Sequence, residues 1–251
     1  MDPIATGILT AAGGAVAAKI FDGPFKKTLE DFWFSHFGYK VTEYRIKKEA
    51  ELEAYRQSII NNLSKIPEEE IQQPKLSIVG PAIEASKYYI EETVLRDMFA
   101  KLIANACNTS KADSVHPAFV ECIKQMNPND AILLTNLDGH GSLVDYCLTF
   151  KQKAGIADIV AEGVHLSQKV PQYSQLNCLS ISNLARLNII TYDKLLSGDE
   201  ILDYSMYENN ILYHQCQQTV LANPNIYSQL TLKKYFFNVT AFGKAFKASC
   251  L

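Results

Sequence analysis

Apolar positions recur every three or four residues through much of this chain, and that spacing predicts helices before composition is considered. Val94, Leu95, Met98, Phe99, Leu102, Ile103 and Ala106 form a wide apolar stripe, so the spacing predicts a central amphipathic helix over residues 83–107. Leu52, Tyr55, Ile59 and Leu63 form a second stripe on a helix over 42–66, with Lys47, Lys48, Glu49, Glu51 and Glu53 on its solvated faces. Between the two, Pro67, Pro74 and Pro81 break the period. That segment reads as an extended strap packing Ile71, Leu76, Ile78 and Val79 against the helices. Two later helices open on X-Pro steps: one at Pro117, capped by His116 or Ser114, and one after Pro128, over 130–137.

Beyond Pro128 the texture changes. A turn at Gly139 and Gly141 leads into residues 142–150, whose β-branched and aromatic side chains suit either strand or helix. Residues 176–187 predict a helix followed by a short edge strand, and 199–218 a tyrosine-rich helix. Residues 233–239 read as a strand, after which Thr240 caps a last helix. This order suggests a winged-helix module with a long insertion at the wing. The expected fold class is mainly α, a helical N-terminal half followed by a winged-helix-like α+β C-terminal module. The expected divisions are 1–41, 42–127 and 128–251.

The first 41 residues carry a different pattern. Ile4 and Ile8 fall at helical spacing, and Gly7, Ala11 and Ala15 make a row of small residues that lets another helix approach closely. After the Asp22-Gly23-Pro24 turn, Phe25, Leu29, Phe32, Trp33 and Phe37 recur on one face. Three uses fit: packing on the chain's own core, self-association, and contact with a membrane surface. Asp2 stands where a signal peptide needs a basic residue, and the uncharged run is shorter than the roughly 20 residues that span a bilayer. The expected location is the cytoplasm, or the periphery of the inner membrane.

Composition narrows the chemistry. A 47% hydrophobic and 20% charged chain of 251 residues can bury a core, and a net charge of -3 disfavours indiscriminate nucleic-acid binding. Six scattered cysteines form no CxxC pair, which argues against zinc. Asp138-Gly139-His140-Gly141-Ser142 resembles an active-site loop but lacks a strand-to-helix elbow and a third orienting group. Cys147 with His165 is no better specified. No catalytic, cofactor-binding or metal-ligating set is therefore expected. On the 176–187 helix, Asn183 and Arg186 are the candidate contacts to a partner or to DNA, with protein favoured over nucleic acid because the helix is poor in basic residues. Arg96, in i,i+4 register with Glu92, and His116 read as structural, with a ligand or pH role for His116 left open.

One resemblance adds to this. Ile66-Pro67-Glu68-Glu69, the stretch from Pro74 to Pro81, and Leu95-Arg96-Asp97-Met98-Phe99-Ala100-Lys101-Leu102 occur in a recognisable order. They are followed by Val115-His116-Pro117-Ala118-Phe119-Val120 and Gln125-Met126-Asn127-Pro128-Asn129-Asp130-Ala131. The series resembles the bacterial abortive-infection alpha family from about residue 52 to 137, and more loosely at 183–190 and 239–246. The resemblance implies a role in antiphage defence, or a phage- or mobile-element-borne counterpart, with no catalytic residues to carry over. The expected function is a non-enzymatic defence component acting through self-assembly, a protein partner or membrane contact. The alternatives are a winged-helix transcriptional regulator and, last, a hydrolase using His140 and Ser142.

Overall fold

The computed structural model describes residues 42–153, 155–194 and 203–251. Ile4, Gly7, Ile8, Ala11, Ala15, Phe32 and Trp33 lie outside the described residues. The chain divides into two compact units, one running to Pro128 and resuming over Ala245–Leu251, the other Asn129–Lys244.

The first unit is built from helices α1 (Thr42–Leu63), α2 (Leu76–Ser86), α3 (Thr93–Ala106) and α4 (Ala118–Lys124). The two apolar stripes are buried as their spacing predicts: Tyr55, Ile59 and Leu63 on α1, and Leu95, Met98, Phe99, Leu102 and Ile103 on α3. Each such side chain stabilises the unit by roughly 1.5–3 kcal/mol when fully buried. Ser58 Oγ donates to Asp97 Oδ1 across α1 and α3 at 2.9 Å. The C-terminal residues close this core. Phe246 meets Phe119 edge to face at 5.4 Å, and Asn105 donates to the Ser249 carbonyl at 2.9 Å.

Two expectations change here. The single helix over 83–107 is two helices, because Ile90 is buried between them and the Tyr89 hydroxyl donates to the Lys124 carbonyl at 2.6 Å. Tertiary anchoring interrupts a stretch that local periodicity runs straight through. The extended strap turns helical at Leu76 and carries Pro81 inside α2. One i→i−4 bond is lost at that proline, but the helix gains burial of Ile78, Val79, Ala82, Ile83 and Ala85.

The second unit contains α5 (Pro128–Asn136), β1 (His140–Phe150), β2 (Ala157–Val164), α6 (Gln175–Arg186) and β3 (Ile190–Lys194), then α7 (Ser205–Glu208), α8 (Ile211–Ala222), β4 (Tyr227–Val239) and the start of α9 (Ala241–Cys250). The four strands make one curled antiparallel sheet in the order β2-β1-β4-β3. This overturns the expected fold class. A wing is a short exposed ribbon, whereas here β1 pairs with β4 from His140↔Asn238 to Phe150↔Tyr227 and is buried from Ser142 to Leu148. The sheet is the framework of the unit, and the winged-helix reading fails on it.

Burial on both faces explains why β1 reads ambiguously: it shows no polar–apolar alternation. Val144, Tyr146 and Leu148 share a cluster with Tyr204, Tyr207, Leu212 and Cys216 from α7, α8 and the residue before α7. β2 went unanticipated because its pairing with β1 shifts register between Val144 and Tyr146 and again between Tyr146 and Cys147. Gly163 takes φ +64° at the first irregularity, and Asp145 Oδ1 accepts its N–H at 2.8 Å. Such irregularities also twist an edge strand away from unwanted pairing. The cap on α9 is as expected, with Thr240 Oγ1 accepting the Gly243 N–H at 2.8 Å.

Candidate functional site

Polar side chains gather at two places in the second unit, and they differ in how their hydrogen-bonding capacity is used. The first lies under the sheet, where β2 ends. The Tyr207 hydroxyl donates to the Ser142 carbonyl at 2.8 Å and accepts the Leu166 N–H at 3.1 Å. With that proton committed, the Ser142 hydroxyl donates to Tyr207 across 3.0 Å. His165 Nδ1 reaches the same Ser142 carbonyl at 3.0 Å. Tyr146 donates to the Tyr207 carbonyl at 2.6 Å, and Asn210 donates to the Tyr146 oxygen at 2.8 Å while its own carbonyl caps α8 at Tyr213. Burial, opposed by the hydrogen bonds from Ser142 and Leu166, pushes the Tyr207 hydroxyl up to about 12. It remains a neutral donor at physiological pH.

This cluster holds Ser142 of the active-site-like loop, and His165, in positions unsuited to nucleophilic chemistry. Ser142 Oγ is turned to a phenol rather than an imidazole, and His165 is turned to a backbone carbonyl. His140 is exposed at the start of β1. Cys147 packs against the Asp145 carbonyl. Burial raises the thiols of Cys147 and Cys216, takes Cys178 to about 11 and Cys107 to about 12, and lifts Cys250 well above the ordinary range. Thiolate, the reactive form, is suppressed at each.

The second place is a surface groove beside the packed pair α5 and α6. Asn129 donates to Asn177 Oδ1 at 3.1 Å and to Ser180 Oγ at 2.8 Å, and Asn183 donates to Asp130 Oδ2 at 2.7 Å. Arg186 in turn donates to Asn183 Oδ1 through Nε at 3.0 Å and Nη2 at 2.8 Å. Asn183 and Arg186, the expected partner or DNA contacts, are thus joined to each other and to α5. Above this seam runs a groove of about 340 Å³ whose walls include Ile132 and Asn136 of α5, Asn177 of α6, and Lys169, Gln172 and Tyr173 from the segment between β2 and α6. Ile132 is 49% exposed, and Leu176, beside Asn177, is 60% exposed. Lys169 pairs with Asp138 at 2.6 Å at one end. Burial raises the Tyr173 hydroxyl above its ordinary range.

In the first unit, Arg96 lies on α3 with Nη1 3.4 Å from the Ile90 carbonyl and Nε 3.7 Å from Asp97. His116 Nδ1 accepts the Ala118 N–H at 3.0 Å and its ring stands 6.0 Å from that of Phe119. Both positions serve local structure. Sequence reasoning missed the groove because its walls come from 132–136 and 169–177, two stretches with no shared motif.

Residues 47–250 match the family model for abortive infection alpha. The chain belongs to that family. The match takes in α2 to α8, the whole sheet and α9, so both units described above are parts of one abortive infection alpha domain. No curated protein and no solved structure matches the chain. Among the described residues, no helix is long and apolar enough to cross a membrane, and no three His, Cys, Asp or Glu side chains converge in a way that would hold a metal ion.

Proposed function

We propose that this abortive infection alpha protein is a non-catalytic defence component that acts by binding a protein partner in the α5–α6 groove. The observation that carries the reading is the exposed apolar wall of that groove. Ile132 and Pro171 face water beside the amide groups of Asn136, Gln172 and Asn177, a mixture that suits a peptide chain with an apolar anchor. The polar cluster under the sheet supports a non-catalytic role, since its serine hydroxyl is bonded to the Tyr207 phenol and its histidine to a backbone carbonyl.

Self-association through Gly7, Ala11 and Ala15 is a compatible second step resting on the small-residue row alone; replacing the three with Leu is expected to reduce oligomer size and protection together. The main reading is tested by phage plaque counts on bacteria carrying this gene with its genomic neighbours. Ile132→Glu combined with Gln172→Ala is expected to abolish protection, while His140→Ala keeps it. Protection lost in His140→Ala with the fold intact would favour an enzyme and sink the proposal.

A further inference from the structure

The junction where β2 leaves the sheet is held in an unusual way. After Val164 the Ser142 carbonyl of β1 has left the β2 ladder, and two side chains bond it: His165 through Nδ1 and Tyr207 through its hydroxyl. A carbonyl oxygen only accepts, so His165 donates from Nδ1, and in the neutral ring the lone pair sits on Nε2. The imidazole is 5% exposed and stands edge-on to the Phe237 ring at 5.3 Å. Leu166 is tied to the same point through its N–H on Tyr207. Farther along, this segment is held by the exposed Lys169–Asp138 pair and a local bridge between Ser167 and Val170. Its far end, from Lys169 to Ser174, forms one wall of the groove.

We propose that residues 165–174 are an acid-opened strap, in which protonation of His165 Nε2 releases the segment from β1 while the first unit stays folded. The inference goes beyond the partner reading and stands without it, because it concerns only how this segment is attached.

The groups that face His165 set the direction of its response. Phe237 of β4 brings an uncharged ring, Gly141 and Ser142 of β1 bring backbone, and Tyr207 of α7 brings a phenol that stays protonated. Asp138, ahead of β1, is the nearby carboxylate, and it is engaged by Lys169 of the strap. Burial lowers the imidazole below its ordinary 6.5, with the Ser142 carbonyl and Asp138 working in the opposite direction. The closed strap therefore binds the proton more weakly than the open one. Its closure is at full strength above about pH 6.5 and is lost as pH falls below that value toward the lowered one, with opening rising at most about tenfold per pH unit for one proton.

The test is amide hydrogen exchange on the full-length protein at pH 7.5, 6.5 and 5.5, corrected for intrinsic exchange, alongside NMR titration of the His165 ring. Peptides covering 165–174 are expected to exchange several-fold faster at pH 5.5, with α3 unchanged. The rise should begin near pH 6.5 and level off as pH falls through the His165 midpoint, which lies below 6.5. His165→Asn, which keeps a donor near the Nδ1 position, should remove the pH dependence. A flat profile in the wild type, an equal acid response in His165→Asn, or a His165 midpoint at or above 6.5 would overturn the proposal. Should His165→Asn fail to fold, the match between exchange and titration in the wild type decides.

Discussion

The cluster under the sheet and the groove beside α5 and α6 are made from similar side chains, and they do opposite things with them. Around Tyr207, serine, histidine, tyrosine and asparagine bond to backbone and to one another within 3.0 Å or so. Around the groove, Ile132 and Gln172 meet solvent. A buried polar group left without a partner costs about 1–3 kcal/mol, so a saturated cluster is a structural device whatever residue types it contains. An unsaturated surface is where a second molecule gains by arriving. Residue identity drew attention to His140 and Ser142; hydrogen-bond accounting directs it to the groove.

The comparison is broken most forcefully at Tyr207. Tyr207→Ala removes both the ring that fills the cluster and the hydroxyl that links Ser142 to Leu166, and is expected to cost about 3–5 kcal/mol of stability. Tyr207→Phe isolates the hydroxyl at about 1–3 kcal/mol. Urea unfolding monitored by far-ultraviolet circular dichroism reads both. A Tyr207→Phe variant as stable as the wild type would mean that the cluster does not hold the junction.

The α5–α6 seam should respond less. Asn183→Ala removes one donor to Asp130 and the acceptor for Arg186, an expected loss of about 1–2 kcal/mol in the same assay. No change would return Asn183 to the pool of free surface contacts. Smallest of all in stability, Gln172→Ala is expected to stay within about 0.5 kcal/mol. A large loss there would show the groove wall to be scaffold too.

The helices of the first unit are legible because their burial follows one period: Leu95, Met98, Phe99, Leu102 and Ile103 lie on one stripe and in one core. The sheet is much less so. β1 is buried on both faces and hides its alternation, and the irregular register of β2 breaks the two-residue period that would have announced a strand. With β2 unseen, the remaining helices and short strands imitated a winged helix. The family was legible from the order of motifs between residues 66 and 131, although those residues prove to be helix starts, stripes and caps. Asn129 and Asp130 are the exception, since that motif reaches across to Ser180 and Asn183 and sets the floor beside the groove.

The measurement that bears most directly on these two regions pairs plaque counts with thermal unfolding for Ile132→Glu. A carboxylate on the apolar wall should abolish protection against a phage that the wild-type system restricts, while the melting temperature stays within a few degrees of wild type. Full protection from a folded Ile132→Glu protein would contradict the assignment of the groove as the working surface.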